Sequence, residues 1–232
     1  MKTRIFNLII LDESGSMQSI KTAALNGMNE TLQSISNAQK KHEEQEHVVT
    51  LVSFNSDAVK TICDCVPACE VKELTDSDYN PSCCTPLYDA MGQALTRLKP
   101  KVGSEDKVLV TVITDGEENS SSEYTGKAIK ALVDELKGKG WVFAYIGANQ
   151  DVEKVAATIS ITNTMAFCAS PIGTKKMLHC FMKSRDKLYD HIADETFTAD
   201  EANNNFFDEE DSGHDDISFH KAGPCARAGR DL

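Results

Sequence analysis

Asp12, Ser14 and Ser16 stand close together in Asp12-Glu13-Ser14-Gly15-Ser16, Thr85 lies between Cys84 and Pro86, and Asp115 sits in Ile113-Thr114-Asp115-Gly116. Two carboxylates and three hydroxyls offer only hard oxygen donors, a set that suits magnesium, with manganese or calcium as substitutes, and argues against zinc. Ser14 and Ser16 flank Gly15, so a tight turn can aim both hydroxyls at one centre. Magnesium sheds water reluctantly, so the two aspartates are expected to reach the ion partly through water. One coordination position then stays open for water or for an acidic group of a partner.

For these five side chains to meet, the chain must bring three distant segments to one place. The apolar runs Ile5 to Leu11 and Val108 to Thr114 read as buried parallel strands. Both end at the candidate ligands. Carboxyl ends of central strands are where an open α/β sheet binds ligands, because loops and helix N-termini wall that crevice. Further along, Val48 to Phe54 reads as a strand with Ala58 to Cys65 as its hairpin partner, the one antiparallel edge. Trp141 to Ile146 and Thr164 to Cys168 complete the strands. Helical spacing marks Ser19 to Lys41, Thr85 to Lys99, Tyr124 to Lys139, Val152 to Thr158 and Gly173 to Ile192. The expected fold is a doubly wound, mostly parallel α/β sheet with helices on both faces.

With this arrangement the chain resembles the von Willebrand factor A family, whose metal-ion-dependent adhesion site follows the pattern Asp-x-Ser-x-Ser, then Thr, then Asp. Asp12, Ser14, Ser16, Thr85 and Asp115 fill all five positions. Thr85-Pro86-Leu87-Tyr88-Asp89-Ala90 and Thr114-Asp115-Gly116-Glu117-Glu118-Asn119 look like the stand-alone prokaryotic and phage branch, over residues 4 to 192. The resemblance implies a Rossmann-like fold, a metal site and a protein-binding role. It also implies partners such as AAA-type ATPases or multiprotein assemblies, and coupling of the last helix to the site. Cys83 and Cys84, where relatives often carry small residues, should lie near the metal.

Each element also has a plainer explanation. Asp12 and Ser14 could cap the helix that follows, Thr85 could cap a helix opened by Pro86, and Asp115 could be a turn residue before Gly116. Three unrelated caps have no reason to fit one ordered ligand pattern, so the joint reading favours a metal site. Glu13, Glu117 and Glu118 read as solvated loop residues.

Composition fits one domain with an appendage. The 232 residues carry a net charge of −12. From Ala193 onward, eleven Asp and Glu face three Lys and Arg, so residues 193–232 read as an acidic, disordered tail behind a domain of residues 1–192. Phe206, Phe207, Ile217 and Phe219 are exceptions there that could dock on the body or on a neighbour, although a solvated tail is the default. No basic stripe suits nucleic acid, no apolar run suits a membrane span or a signal peptide, and a cytoplasmic location is the default. The eight cysteines lack common zinc spacing; Cys63, Cys65 and Cys69 read as small apolar side chains.

The rival is an enzyme, a metal-dependent phosphatase of the haloacid-dehalogenase type. That chemistry needs a second Asp two residues after the first, as acid for the leaving group. Ser14 stands there instead, no P-loop or Gly-x-Ser-x-Gly elbow is present, and the expectation is a non-enzymatic protein-binding module.

Overall fold

The computed structural model describes residues 2–148, 151–207 and 217–220. Its centre is one seven-stranded sheet in the order β3-β2-β1-β4-β5-β6-β7. The strands are β1 (Thr3–Asp12), β2 (Gln45–Phe54), β3 (Val59–Pro67), β4 (Lys107–Thr114), β5 (Trp141–Ala148), β6 (Asn163–Phe167) and β7 (Ile217–His220). β1 pairs in parallel with both β2 and β4, and β4, β5 and β6 continue in parallel. β3 is antiparallel to β2, as expected of the hairpin, with irregular register between Val49 and Val52. The mostly parallel sheet with its antiparallel β3 edge is as expected, and a short further strand, β7, pairs antiparallel at the other edge, Ile217 with Phe167 and His220 with Thr164.

Alternation along the strands sorts the core into two layers. Ile5, Ile9, Leu11, Val49, Leu51, Leu109 and Ile113 face α1 (Lys21–Lys41) and α5 (Pro171–Ala193). Phe6, Leu8, Ile10, Val52, Val110 and Val112 face α2 (Leu87–Leu98), α3 (Gly126–Lys137) and α4 (Val152–Thr158). With both faces covered, the central strands can be apolar throughout, which explains why they read as continuous runs rather than alternating ones. Helices α1 and α5 approach closely where a Cβ on Gly27 would lie 1.8 Å from Leu178 Cδ1.

The domain boundary expected at Ile192 moves. After α5 the chain forms α6 (Ala199–Asn205), and Phe206 and Phe207 are buried in the core layer of α1 and α5. Amides sew this segment down: Asn203 donates to the Trp141 carbonyl (2.8 Å) and accepts from Phe143 N–H (3.1 Å), while Asn163 accepts from Phe206 N–H (3.1 Å). Residues 193–207 therefore belong to the folded body. Phe206 and Phe207, expected by default to lie in a solvated tail, dock on the body because two aromatic side chains bury a large apolar area, which outweighs the acidic composition. The acidic run Asp208–Asp211, Asp215, Asp216 and Cys225 lie outside the described residues.

Candidate functional site

β1 and β4 are neighbours in register, Leu11 opposite Ile113, so their carboxyl ends deliver Asp12 and Asp115 side by side at the centre of the sheet edge. Asp12 is fully buried and Asp115 nearly so. Beyond Asp12 the chain enters a 3-10 turn, Gly15–Ile20, and then α1, rather than one helix from Ser19. Gly15 is not in a left-handed conformation. It serves a close approach, because its N–H donates to the Cys83 carbonyl (3.0 Å) and a Cβ there would lie 3.4 Å from that oxygen. This contact ties the Ser14–Ser16 turn to the loop that carries Thr85. Cys83 and Cys84 are both exposed on that loop, and Cys83 adopts a left-handed φ of 64°.

The three segments converge. Ser14 N–H donates to Asp12 Oδ1 (2.7 Å), Ser14 and Ser16 hydroxyls share a hydrogen bond (3.1 Å), and Ser16 Oγ donates to Asp115 Oδ1 (2.5 Å). Gly116 marks the centre: a Cβ built there would sit 3.0 Å from Thr85 Oγ1, 3.5 Å from Ser16 Oγ and 3.7 Å from Asp12 Oδ2. Side-chain oxygens of the first and second segments thus surround Gly116 of the third, in a cradle that one methyl group would enter.

Capping does not account for these groups. Ser14 precedes the 3-10 turn without any side-chain cap hydrogen bond, and the N-cap of α2 is Pro86, also without one. Thr85 is instead fixed through its backbone, its N–H donating to Asn119 Oδ1 (2.9 Å) and its carbonyl accepting from Asn119 N–H (3.2 Å).

The electrostatics are one-sided. Burial pushes the Asp12 carboxyl up to about 6, against the Thr114 and Ser14 hydrogen bonds that favour its ionised form, and the nearby Asp115 adds to the rise. Burial raises Asp115 as well. Among the described residues, no lysine, arginine or histidine pairs with either carboxylate. Two buried carboxylates with oxygen donors around them and no basic side chain fit a hard divalent cation, whose charge would replace the missing partner. Among the described residues, no cluster of three His, Cys, Asp or Glu side chains could hold a metal. The cradle differs in that serine and threonine supply most of its donors.

Some supporting residues were not anticipated. Thr114 Oγ1 donates to Asp12 Oδ2 (2.5 Å) and Tyr79 OH to the Asp12 carbonyl (2.7 Å). Thr114 adjoins Asp115 and could have been suspected from that; nothing in the sequence marks Tyr79. The solvated reading of the glutamates holds for Glu117 alone. Glu13 is fully buried and accepts from Ser53 Oγ (2.6 Å), Lys60 Nζ (2.8 Å) and Asn80 N–H (2.6 Å). Alternation explains this, since Glu13 follows a ligand on β1 and projects toward β2 and β3. Glu118, half buried, accepts from the N–H groups of Tyr88, Ser120 and Ser121, fastening the loop after β4 to the start of α2.

No family model matches the chain, and no curated protein does. Solved structures do. A von Willebrand factor type A protein from Catenulispora acidiphila matches with a TM-score of 0.55 at 12% identity, over 78% of this chain and 42% of its own. The pilus adhesin SpaC from Lactobacillus rhamnosus GG, in an open conformation, matches with a TM-score of 0.59 at 16% identity, over 82% and 30%. The PilB minor pilin from Streptococcus sanguinis matches with 0.57 at 12%, over 81% and 62%. The chain spans less than two thirds of each of these proteins. The mostly parallel sheet, the helices on both faces and these three likenesses together give the chain a von Willebrand factor A-like fold.

Proposed function

We propose that the chain is a divalent-metal-dependent protein-binding module, an adhesion or scaffold unit whose metal is held by Asp12, Ser14, Ser16, Thr85 and Asp115. The observation that carries this reading is the pair of buried carboxylates around a hydroxyl-lined cradle, without a basic partner among the described residues. Magnesium is the expected ion, with manganese and calcium as competitors. When bound, the ion supplies positive charge and an open position for an acidic group of a partner protein. The protein residues do the positioning. Asp12 is held from both sides by Ser14 N–H and Thr114 Oγ1, and the Gly15–Cys83 contact keeps the serine turn against the Thr85 loop. A partner that presents a carboxylate on a protruding loop fits such a rim, and an AAA-type ATPase or a multiprotein assembly is the partner class proposed.

The chemistry favours binding over turnover. Ser14, where a phosphatase of the haloacid-dehalogenase type would carry its acid, is engaged with Ser16 and cannot serve as a strong proton donor. Calorimetry of the full chain with magnesium, manganese and calcium tests the proposal. Uptake of one ion by the wild type, lost in Ser14→Ala, together with metal-dependent capture of a host protein, is the expected result. Absence of uptake for all three ions would overturn it, and hydrolysis of model phosphate esters would move the protein to the enzyme class.

A further inference from the structure

Beneath α5 lies a second charged cluster, opposite in sign to the rim and independent of the metal proposal. Arg185 is 1% exposed, and among the described residues none of its Nε, Nη1 and Nη2 atoms makes a hydrogen bond of good geometry; the Tyr189 side chain is the polar group that interacts with it. Among the described residues, the one carboxylate within 4 Å is that of Asp186, half exposed and 3.8 Å from Nη2. That separation is too long for a hydrogen bond. The guanidinium lies instead over the Phe181 and Tyr189 rings, 5.3 and 5.8 Å from their centroids. Ring faces attract a cation but accept none of its N–H groups with the strength of an oxygen or a halide.

Among the described residues, Asp186 is the one opposite charge beside the guanidinium, and it is half exposed and not hydrogen-bonded to it. His47 is buried, packs edge-on against the same Tyr189 ring at 4.4 Å, and has an unpartnered Nδ1. Its Nε2 faces Gln45 Oε1 (2.9 Å), and the Gln45 amide is oriented by donating to the Tyr189 carbonyl (2.8 Å). Burial and the Arg185 charge hold His47 far below its ordinary range, so it stays neutral. Arginine cannot escape its charge by losing a proton, as a buried lysine would. A buried charge with no hydrogen-bonded counter-ion is strongly destabilising. Water could satisfy the N–H groups but would leave the charge to the half-exposed Asp186 alone, and a divalent anion would exceed it.

We infer that Arg185 anchors a buried site for one monovalent anion of chloride size, held by the guanidinium N–H groups in the layer between α5 and the sheet. Crystals of the full chain soaked in bromide, which scatters anomalously, test this directly. The expected result is an anomalous peak within about 3.5 Å of the Arg185 nitrogens. In solution, replacing gluconate by chloride at constant ionic strength should raise the melting temperature saturably, by about 3–6 °C. Arg185→Met should remove that dependence. Density holding only water at the guanidinium, a carboxylate bonded directly to it, or equal melting temperatures in the two salts would overturn the inference. Should the variant fail to fold, the wild-type crystal and the salt comparison decide between these outcomes.

Discussion

The rim and the layer beneath α5 are two buried clusters of opposite need. At the rim, Asp12 and Asp115 are buried carboxylates among neutral oxygens, with no basic side chain to meet them among the described residues. Under α5, Arg185 is a cation over two rings, near a neutral histidine, with one half-exposed carboxylate, Asp186, 3.8 Å away. Ordinary cores avoid both situations by pairing charges inside the protein, as Glu13 does with Lys60 in the same chain. An internal pair leaves no appetite for a guest. Buried charge without a hydrogen-bonded partner in the protein is the ground on which we propose an outside ion at each place, a cation at the rim and an anion under α5.

The sharpest way to break this comparison is to fill the rim without touching its charges. Gly116→Ala would place a methyl group 3.0 Å from Thr85 Oγ1 and in the midst of the oxygens. Metal affinity measured by calorimetry should fall at least about a hundredfold, while circular dichroism stays that of the wild type. Undiminished affinity in this variant would mean that the five oxygens do not surround the ion.

The second cluster yields a pH signature. His47 is held at about 4 when folded, against 6.5 when exposed. Its folded value is depressed, so the unfolded chain binds the extra proton between these limits. Stability is full above about pH 6.5 and is lost as the pH falls toward 4, by about 3 kcal/mol in total. Urea melts at several pH values should show this loss, and His47→Gln should flatten it. An anion beside Arg185 would ease the protonation of His47, so the slope should be shallower in chloride than in gluconate. Identical slopes in the two salts would separate the histidine from the proposed anion.

Glu13 supplies the contrast, a buried charge that is already satisfied. Glu13→Gln keeps the shape but weakens the bonds to Lys60 and the Asn80 N–H, so it should cost about 1–3 kcal/mol in denaturant melts. Because Glu13 points away from the cradle, metal affinity should change far less than in Gly116→Ala. A loss of metal binding as large as that of the glycine variant would show that the Glu13 network, not the ligands alone, sets the site.

The two clusters also differ in how far the sequence reveals them. Asp12, Ser14 and Ser16 are neighbours in the chain, β1 ends at Asp12 and β4 ends one residue before Asp115, so local spacing and the apolar runs together point to the rim. Pairing in parallel register then brings Asp115 to Asp12 without further specification. Arg185 has no such signature. On a helix, a lone arginine between Ser184 and Asp186 reads as solvent-facing, and only the packing of α5 against the sheet shows that it is buried. The same holds for Glu13, whose partners on β2, β3 and the Asn80 loop are 40 to 67 residues away in sequence. It holds too for residues 193–207, where acidic composition masked the two phenylalanines that anchor the segment. Composition reports average solvation. Burial is decided by a few large apolar groups.

The smallest effect should come from the rim's one solvated acid. Glu117 follows Asp115 and Gly116, is exposed, and makes no buried network of the kind that holds Glu13 and Glu118. Its replacement by glutamine should leave stability within about 0.5 kcal/mol of the wild type. If the partner presents a carboxylate, removing this like charge should speed association by about two- to fivefold at low salt, with little change in dissociation. The gain should vanish at high ionic strength, since an exposed charge acts on an approaching partner only through the screened field. A slower association after Glu117→Gln would reverse the sign of the partner's charge and, with it, the part assigned to an acidic group at the rim.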